Sequence, residues 1–257
     1  MLLRTVAAIR YVTPLREGGS VPAIIEADDC GTYVLKFRAA AQGAKALVAE
    51  LIAGEIARAL GLPIPELVLV ELDPILGRSE PDPELQVPLR ASAGLNLALD
   101  FLPGAIAFDP ALFAPSAELA SRIVWFDALV ANVDRTARNT NLLLWHKQPF
   151  LIDHGAALYF HHDWGELVAR SRSRFPQIRE HVLLPFADGL DAADAALAPR
   201  LSPALLREII DAVPDSWLGS DGPPAAARDA YAGFFSRRLQ APRDFVEEAA
   251  RARAQLV

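Results

Sequence analysis

The sequence predicts an α+β protein, with an antiparallel sheet and one helix in the N-terminal part and a mostly helical C-terminal part. Three observations support this prediction. Residues 6–37 contain short strand-like runs separated by glycine-containing turns. Residues 44–60 repeat their apolar residues at helical spacing. Beyond residue 116, most of the chain shows the same helical period.

The first group of elements is three strands, with the sequences "VAAIRYV", "VPAIIEA" and "TYVLKF". The third run is rich in β-branched and aromatic residues, which favour strands. Gly18 and Gly19 permit a loop after the first run, and Gly31 ends the turn before the third. We therefore expect three sequential antiparallel strands.

The helix that follows these strands has apolar residues at helical intervals. They are Leu47, Leu51, Ile52, Ile56 and Leu60. Gly61 and Pro63 are typical of a helix end, because glycine adopts the left-handed conformation of a C-cap and proline cannot continue a helix. The pattern predicts one long helix directly after the third strand.

Residues 65–105 complete the N-terminal part. "PELVLVELD" predicts another strand, and the proline-rich residues 74–94 are interpreted as a loop. "LNLALDFLPGA" alternates again and ends in Pro103 and Gly104. We place the end of a small N-terminal lobe here, so that residues 1–103 form one lobe and residues 104–257 the other.

The C-terminal part begins with the apolar helix "SAELASRIVWFDALVANV", for which Ser116 is a suitable N-cap. Three later segments, "SPALLREIIDAV", "PPAAARDAYAGFFSRRLQ" and "PRDFVEEAARARAQLV", also have a helical period and a Ser or Pro start. The segment "SWLGSDGPPAAA" is interpreted as a linker within this part.

Bulk composition limits the function classes. The chain has 257 residues, 52% of them hydrophobic, which is enough for a sizeable core. The net charge of −7 argues against direct nucleic-acid binding. Cys30 is the single cysteine, so no intrachain disulfide is possible. The N-terminal run is too short and too interrupted by arginines for a signal peptide or a membrane span. We expect a cytoplasmic protein without a membrane partner.

Two aspartates and an asparagine lie in the largely apolar residues 132–158. Asn139 follows Asp134 by five residues and precedes a predicted hairpin, "NLLLW" and "FLID" joined by the four-residue loop "HKQP". Asp153 closes the returning strand. Because a hairpin returns its end to its beginning, the three side chains are expected to converge. Carboxylate and amide oxygens suit Mg²⁺, which often shares its shell with phosphates.

This pattern resembles the catalytic core of protein-kinase-like enzymes, in which an Asp is followed by four residues, an Asn, a hairpin and Asp-Phe-Gly. Asn132 and Val133 stand where protein kinases have His-Arg, and His154 replaces the Phe. With these departures, "NVDRTARNTNLL" and "LIDHGAAL" are similar to the HipA-like kinase family in its short form. "GGSVPAIIEADDCGTYVLKF" and "LVAELIAGEIARALGLPIPE" resemble that family's nucleotide loop, lysine strand and glutamate helix.

The resemblance implies a bilobal protein-kinase-like fold that binds ATP and Mg²⁺ between its lobes. Lys36, one of only three lysines, matches the lysine that contacts the α and β phosphates. Glu50 matches its salt-bridge partner, with Glu55 left as a rival. Asp134 matches the base or orienting carboxylate for the acceptor hydroxyl.

Asn139 and Asp153 match the Mg²⁺ ligands of the family. Two further groups of residues complete the implied site. The first is a phosphate-covering loop of Gly18, Gly19 and Ser20, in which Ser20 is a candidate autophosphorylation site. The second is a hinge whose backbone faces adenine, at Asp100, Phe101 and Leu102. A structural zinc site is rejected, because the histidines form no tight ligand motif.

The resemblance implies an ATP-dependent phosphotransferase acting on serine or threonine of a protein, with a protein substrate or regulatory partner. Residue spacing alone implies only phosphoryl transfer. A small-molecule or lipid kinase, a nucleotide-binding pseudokinase or regulatory module, and a nucleotidyltransferase remain as alternatives. Thr136 stands where a related pattern has histidine, which keeps the pseudokinase open. The mass added to a target distinguishes phosphorylation from nucleotidyl transfer.

Overall fold

The computed structural model describes residues 3–15, 21–40, 42–80, 82–219 and 222–256. Its strands are β1 (Thr5–Pro14), β2 (Ala23–Ala27), β3 (Thr32–Lys36), β4 (Leu67–Leu72), β5 (Gly94–Asp100), β6 (Ile106–Ala107), β7 (Leu142–Trp145) and β8 (Gln148–Leu151). Its α-helices are α1 (Ala44–Ala59), α2 (Pro83–Ala91), α3 (Ala117–Val130), α4 (Leu167–Ser171), α5 (Leu190–Leu197), α6 (Pro203–Asp211), α7 (Asp215–Leu218), α8 (Pro224–Arg238) and α9 (Asp244–Ala254). The mixture is an α+β fold, as the sequence predicts.

The N-terminal strands form a closed barrel in the order β1-β2-β3-β5-β4. The three sequential antiparallel strands are present, with β2 paired to both β1 and β3. The expectation of a purely antiparallel sheet was wrong, because Thr5 of β1 pairs in parallel with Leu69 of β4. Alternation within a strand defines its buried face but not its distant partner, so the sequence pattern contained no signal for this closure.

Alternating residues of the strands fill the barrel. On β2, Ala23, Ile25 and Ala27 are fully buried, and on β3 Tyr33 and Leu35 face the same core. The residues between them are half-buried. Lys36 comes directly after Leu35, and its alternate position places it on the opposite face of β3 from the barrel core.

Helix α1 is buried on all sides over residues 47–57. It packs against the barrel strands and against helices of the C-terminal part. Gly54 permits the close approach to β4, since a Cβ atom there would lie 2.8 Å from a methyl carbon of Leu67. A helix with no solvent face must provide partners for any charge it contains, and both Glu50 and Glu55 lie within it.

Residues 74–94, interpreted as a loop, contain a 3₁₀ turn and the helix α2. Asp73 caps the turn by accepting a hydrogen bond from the Ile75 amide at 2.8 Å. Glu80 fixes the segment to the barrel, where its buried carboxylate accepts the Tyr11 hydroxyl at 2.6 Å. The prolines of this segment, including Pro88 inside α2, hid this helix, because prolines are typical of loops.

The predicted hairpin is present as β7 and β8, and β6 adds a third strand beside β7. Its connection is shorter than expected, with two residues rather than four. His146 and Lys147 form the turn, with φ of 49° and 64°. Positive φ at both central residues gives the twist that a two-residue hairpin requires. Gln148 and Pro149 therefore belong to the returning strand.

The C-terminal part is built around α3, whose residues from Ala120 to Val130 are almost all buried. Helices α5 and α9 pack against it. The predicted N-cap is confirmed, since the Ser116 hydroxyl accepts from the Leu119 amide at 3.2 Å. The later predicted helices correspond to α6, α8 and α9. The segment interpreted as a linker includes most of α7.

No helix within the described ranges is both long enough and apolar enough to cross a membrane.

Candidate active site

A pocket of about 250 Å³ lies where the barrel, α1 and the end of the hairpin meet. Its lining includes four of the predicted site residues, which are Lys36, Glu50, Asp134 and Asp153. Lys36 lies on β3 and Glu50 on α1, while Asp134 lies in the loop after α3 and Asp153 just after β8. The fold thus brings together carboxylates and a lysine that are widely separated in sequence.

Lys36 is held between two carboxylates. Its ammonium Nζ donates to Glu50 Oε2 and to Asp153 Oδ1, each at 2.6 Å. Only 11% of the Lys36 side chain is exposed, whereas 42% of the Asp153 side chain is exposed. Burial alone lowers the pKa of Lys36, but the two carboxylates raise that pKa more. Lys36 is therefore a firmly charged ammonium fixed at the pocket wall.

Of the two candidate glutamates, Glu50 is the one that contacts Lys36. Glu55 pairs instead with Arg58 on the next turn of α1. Burial raises the pKa of Glu50, but the Lys36 charge and the hydrogen bond from His154 lower this pKa by more, so that it lies at about 2. Glu50 is accordingly an ionised carboxylate with no exposed surface.

We expect the contribution of Glu50 to stability to depend on pH. Its folded-state pKa of about 2 lies below the ordinary 4.5. The folded state is therefore stabilised fully above the ordinary pKa, and this stabilisation is lost as pH falls toward the folded value. The free energies of unfolding of wild type and Glu50→Gln, measured with urea, should differ at neutral pH. This difference should narrow below pH 4.5. A difference in unfolding free energy that stays constant over this pH range would contradict the expectation.

Asp134 lies at the other side of the pocket in a network of amides. Its Oδ2 accepts from Asn139 Nδ2 at 2.8 Å and from Asn141 Nδ2 at 3.1 Å. Asn132 Oδ1 accepts the Asp134 backbone N–H at 3.2 Å. Two donors on one oxygen hold the carboxylate in place and direct its second oxygen, Oδ1, to other partners. Asn141 was missed in the sequence, where it was interpreted as the first residue of a strand.

Asn139 and Asp153 provide oxygen atoms of the kind that a hard cation such as Mg²⁺ prefers, although Asn139 is not among the described residues that line the pocket. Asn139 uses its amide nitrogen on Asp134, so its oxygen is the atom that a cation would bind. Asp153 offers a half-exposed carboxylate. Among the described residues there is no group of three or more His, Cys, Asp or Glu side chains able to hold a metal alone. Two oxygen ligands supplemented by phosphate and water are the arrangement that Mg²⁺ commonly takes.

A buried ionic network supports this loop from below. Asp127 of α3 is fully buried, and its Oδ2 accepts from Arg135 Nε at 2.6 Å and from His181 Nε2 at 2.8 Å. Its Oδ1 accepts from Asn132 Nδ2 at 2.8 Å. Burial raises the pKa of Asp127, but the Arg135 and His181 contacts lower it far more. Asp127 is thus a permanent anion beneath the loop.

Arg135 joins this network to the hairpin. Its guanidinium donates to the carbonyl oxygens of Asn141 and Ile152, which lie just outside the two strands. One buried side chain therefore connects α3, the Asp134 loop and the residue before Asp153. The sequence did contain a signal for this network, since Asp127 is a carboxylate inside an apolar helix, but it was not used.

Two groups of predicted site residues have no described place in this pocket. Gly18, Gly19 and Ser20 are outside the described residues. The residues from Asp100 to Leu102 are not among the described residues that line the pocket. The Asp100 and Phe101 amides donate to Glu66 and Thr32 carbonyls at 2.8 and 3.0 Å, so they are already used. The hinge role of Asp100, Phe101 and Leu102 stays a prediction.

The overall fold is similar to that of kinases of known structure. Its architecture is a kinase-like α+β fold. The crystal structure of the Helicobacter pylori proinflammatory kinase CtkA matches with a TM-score of 0.60 at 14% identity, covering 98% of this chain and 99% of that one. The Golgi casein kinase with Mn/ADP bound matches with a TM-score of 0.47 at 11% identity, over 95% of this chain and 73% of that one.

The family follows from the sequence match. The model of the HipA-like kinase family matches residues 8–241. The chain belongs to the HipA-like kinase family, and membership supports a kinase-type phosphotransferase. A comparison with curated proteins finds no match.

Proposed function

We propose that this protein transfers the γ-phosphoryl group of ATP, with Mg²⁺, to a serine or threonine hydroxyl of a protein. The observation that supports this most is the pair of 2.6 Å contacts from Lys36 to Glu50 and Asp153 beside Asp134 in one pocket. Phosphoryl transfer requires positioned charges more than covalent chemistry, and this arrangement provides them. The choice of a protein acceptor is based on the family resemblance.

Each residue takes one role in the proposed step. Lys36 binds the α and β phosphates, and Glu50 holds its ammonium. Asp134 accepts the proton of the acceptor hydroxyl at Oδ1 as the new oxygen–phosphorus bond forms. The bond between the γ-phosphorus and the bridging oxygen breaks, and ADP leaves with that electron pair. Bound Mg²⁺ would be held by Asn139 and Asp153 and would neutralise phosphate charge.

The two-lobe division is part of the same proposal. Residues 1–103 would form the nucleotide-binding lobe and residues 104–257 the lobe with the Asp134 loop and the hairpin. One buried core lies inside the barrel, and this core supports a separate N-terminal unit. The other core joins α1 and the barrel residues Leu67, Leu97 and Leu99 to the C-terminal helices. Helix α1 therefore packs against residues of both proposed lobes.

The experiment that tests the function is thermal unfolding with ATP, with and without Mg²⁺. A ligand that binds only the folded state at 100 times its dissociation constant adds about 2.7 kcal/mol of stability. We expect wild type to show a Mg²⁺-dependent rise in melting temperature. Asp153→Ala should lose that rise, because it removes a metal ligand and a partner of Lys36.

The control is Asp229→Ala, which removes an exposed carboxylate on α8 paired with Arg207. It should keep the full Mg²⁺·ATP shift, whatever its own baseline melting temperature. Each variant is compared with itself without ligand, so a change in baseline stability does not enter. Wild type that shows no shift with any nucleotide would overturn the proposal and favour a regulatory binding module.

A further inference from the structure

His154 stands where the protein-kinase pattern has phenylalanine, and its ring has no exposed surface. It packs edge-to-face on Phe126 of α3, with ring centroids 5.7 Å apart and planes at 75°. A phenylalanine would make the same packing contact without introducing polar atoms. Packing therefore does not explain why a histidine occupies this site.

Two polar contacts join His154 to Glu50. Its backbone N–H donates to Glu50 Oε2 at 2.8 Å, and its ring Nδ1 lies 3.3 Å from Glu50 Oε1. An ionised carboxylate can only accept hydrogen bonds, so the ring proton must be on Nδ1. The residue thus engages both oxygens of the glutamate that holds Lys36.

The other ring nitrogen shows that this contact has a cost. His154 Nε2 is buried and has no hydrogen-bond partner among the described residues. A buried polar atom without a partner is unfavourable, and phenylalanine would avoid it. The favourable contact that the histidine ring makes and a phenylalanine ring cannot make is the one from Nδ1 to Glu50.

We propose that His154 is a positioning residue for the phosphate-binding lysine, acting through Glu50. His154 fixes Glu50 by two hydrogen bonds, and Glu50 and Asp153 fix the Lys36 ammonium from two sides. Since Asp153 and His154 are consecutive, the end of the hairpin sets both partners of Lys36. This inference rests on the proposed function, because it assigns the lysine to phosphate binding.

The first test is independent of nucleotide. In ¹⁵N-histidine NMR spectra of the full chain, the His154 signals are identified by their loss in His154→Phe. We expect Nδ1 to carry a proton. A proton on Nε2 with an unprotonated Nδ1 would overturn the inference, since the ring would then donate nothing to Glu50.

The second test is Mg²⁺·ATP affinity, measured by calorimetric titration of three variants. His154→Asn places an amide nitrogen where Nδ1 lies, whereas His154→Gln places it where Nε2 lies. His154→Phe keeps only the ring. We expect binding about tenfold weaker in the Phe and Gln variants, as for loss of a hydrogen bond to a charged group, and near wild type in His154→Asn.

The outcomes separate the two proposals. If His154→Phe binds as tightly as wild type, or if the Asn and Gln variants are equally weak, the positioning role is wrong. The Asn and Gln comparison holds even if His154→Phe does not fold, because both variants carry the same amide group at different distances from the backbone. If wild type binds no Mg²⁺·ATP, the proposed function fails, and the NMR measurement alone decides whether His154 holds Glu50.

Discussion

Replacement of Arg135 by methionine is expected to lower the free energy of unfolding by about 3–5 kcal/mol, as for removal of one partner of a buried ion pair. Neither Arg135 nor Asp127 has any exposed side-chain surface. Methionine fills much of the volume but leaves the Asp127 charge and the Asn141 and Ile152 carbonyls without their guanidinium. Urea unfolding at neutral pH measures the change.

The matched control is Arg10→Met. Arg10 also pairs with an acidic residue, Glu26, but its side chain is 65% exposed. Exposed pairs are screened by water, so we expect only a small change in unfolding free energy. The double variant Asp127→Leu/Arg135→Met should recover part of the loss, because no buried anion remains. Equal effects of Arg135→Met and Arg10→Met would contradict the role given to the buried network.

Substitution of Asp134 by asparagine is expected to lower kcat by about 10²–10⁴-fold, the range typical of a general acid or base. Asparagine can still accept from Asn139 and Asn141, so the loop should keep its shape. It cannot take the proton from the acceptor hydroxyl. Mg²⁺·ATP affinity should therefore stay near the wild-type value while the rate falls.

Phosphate transfer from radiolabelled ATP to a mixed serine and threonine peptide library measures this rate. Asp229→Asn is the control, since Asp229 is an exposed residue of α8 that is absent from the pocket lining. A variant that keeps the wild-type kcat would show that Asp134 does not accept the proton. Loss of both kcat and nucleotide affinity would mean that the substitution disturbed the whole loop.

The strands and long helices were predictable because their patterns are local. Residues 23–27 are mostly apolar and form a short strand, and residues 44–59 are a long, mostly apolar run that forms α1. The parallel closure of the barrel was not predictable, since the residues of β1 and β4 contain no pattern that identifies each strand as the partner of the other. Helix α2 was hidden by its prolines.

The candidate site was predictable where residues lie close in sequence. Asp134, Asn139 and the hairpin before Asp153 follow one another within a short segment. The choice between Glu50 and Glu55 was not predictable from the sequence. Helix α1 is buried on all sides, so its apolar residues identify no single side that faces the site. Asp127 was overlooked, although a carboxylate within an apolar helix needs a buried partner.

The barrel closure has a consequence for the order of folding. β1 has β2 as a local neighbour, but its second neighbour, β4, follows only after β2, β3 and α1. Likewise β3 pairs on one side with β2, and on its other side Lys36 pairs with Leu97 of β5, which comes much later in the chain. Contacts between distant segments require entropy loss before they stabilise the chain, so they form slowly. The strand that presents the lysine is therefore enclosed on both sides only late in folding.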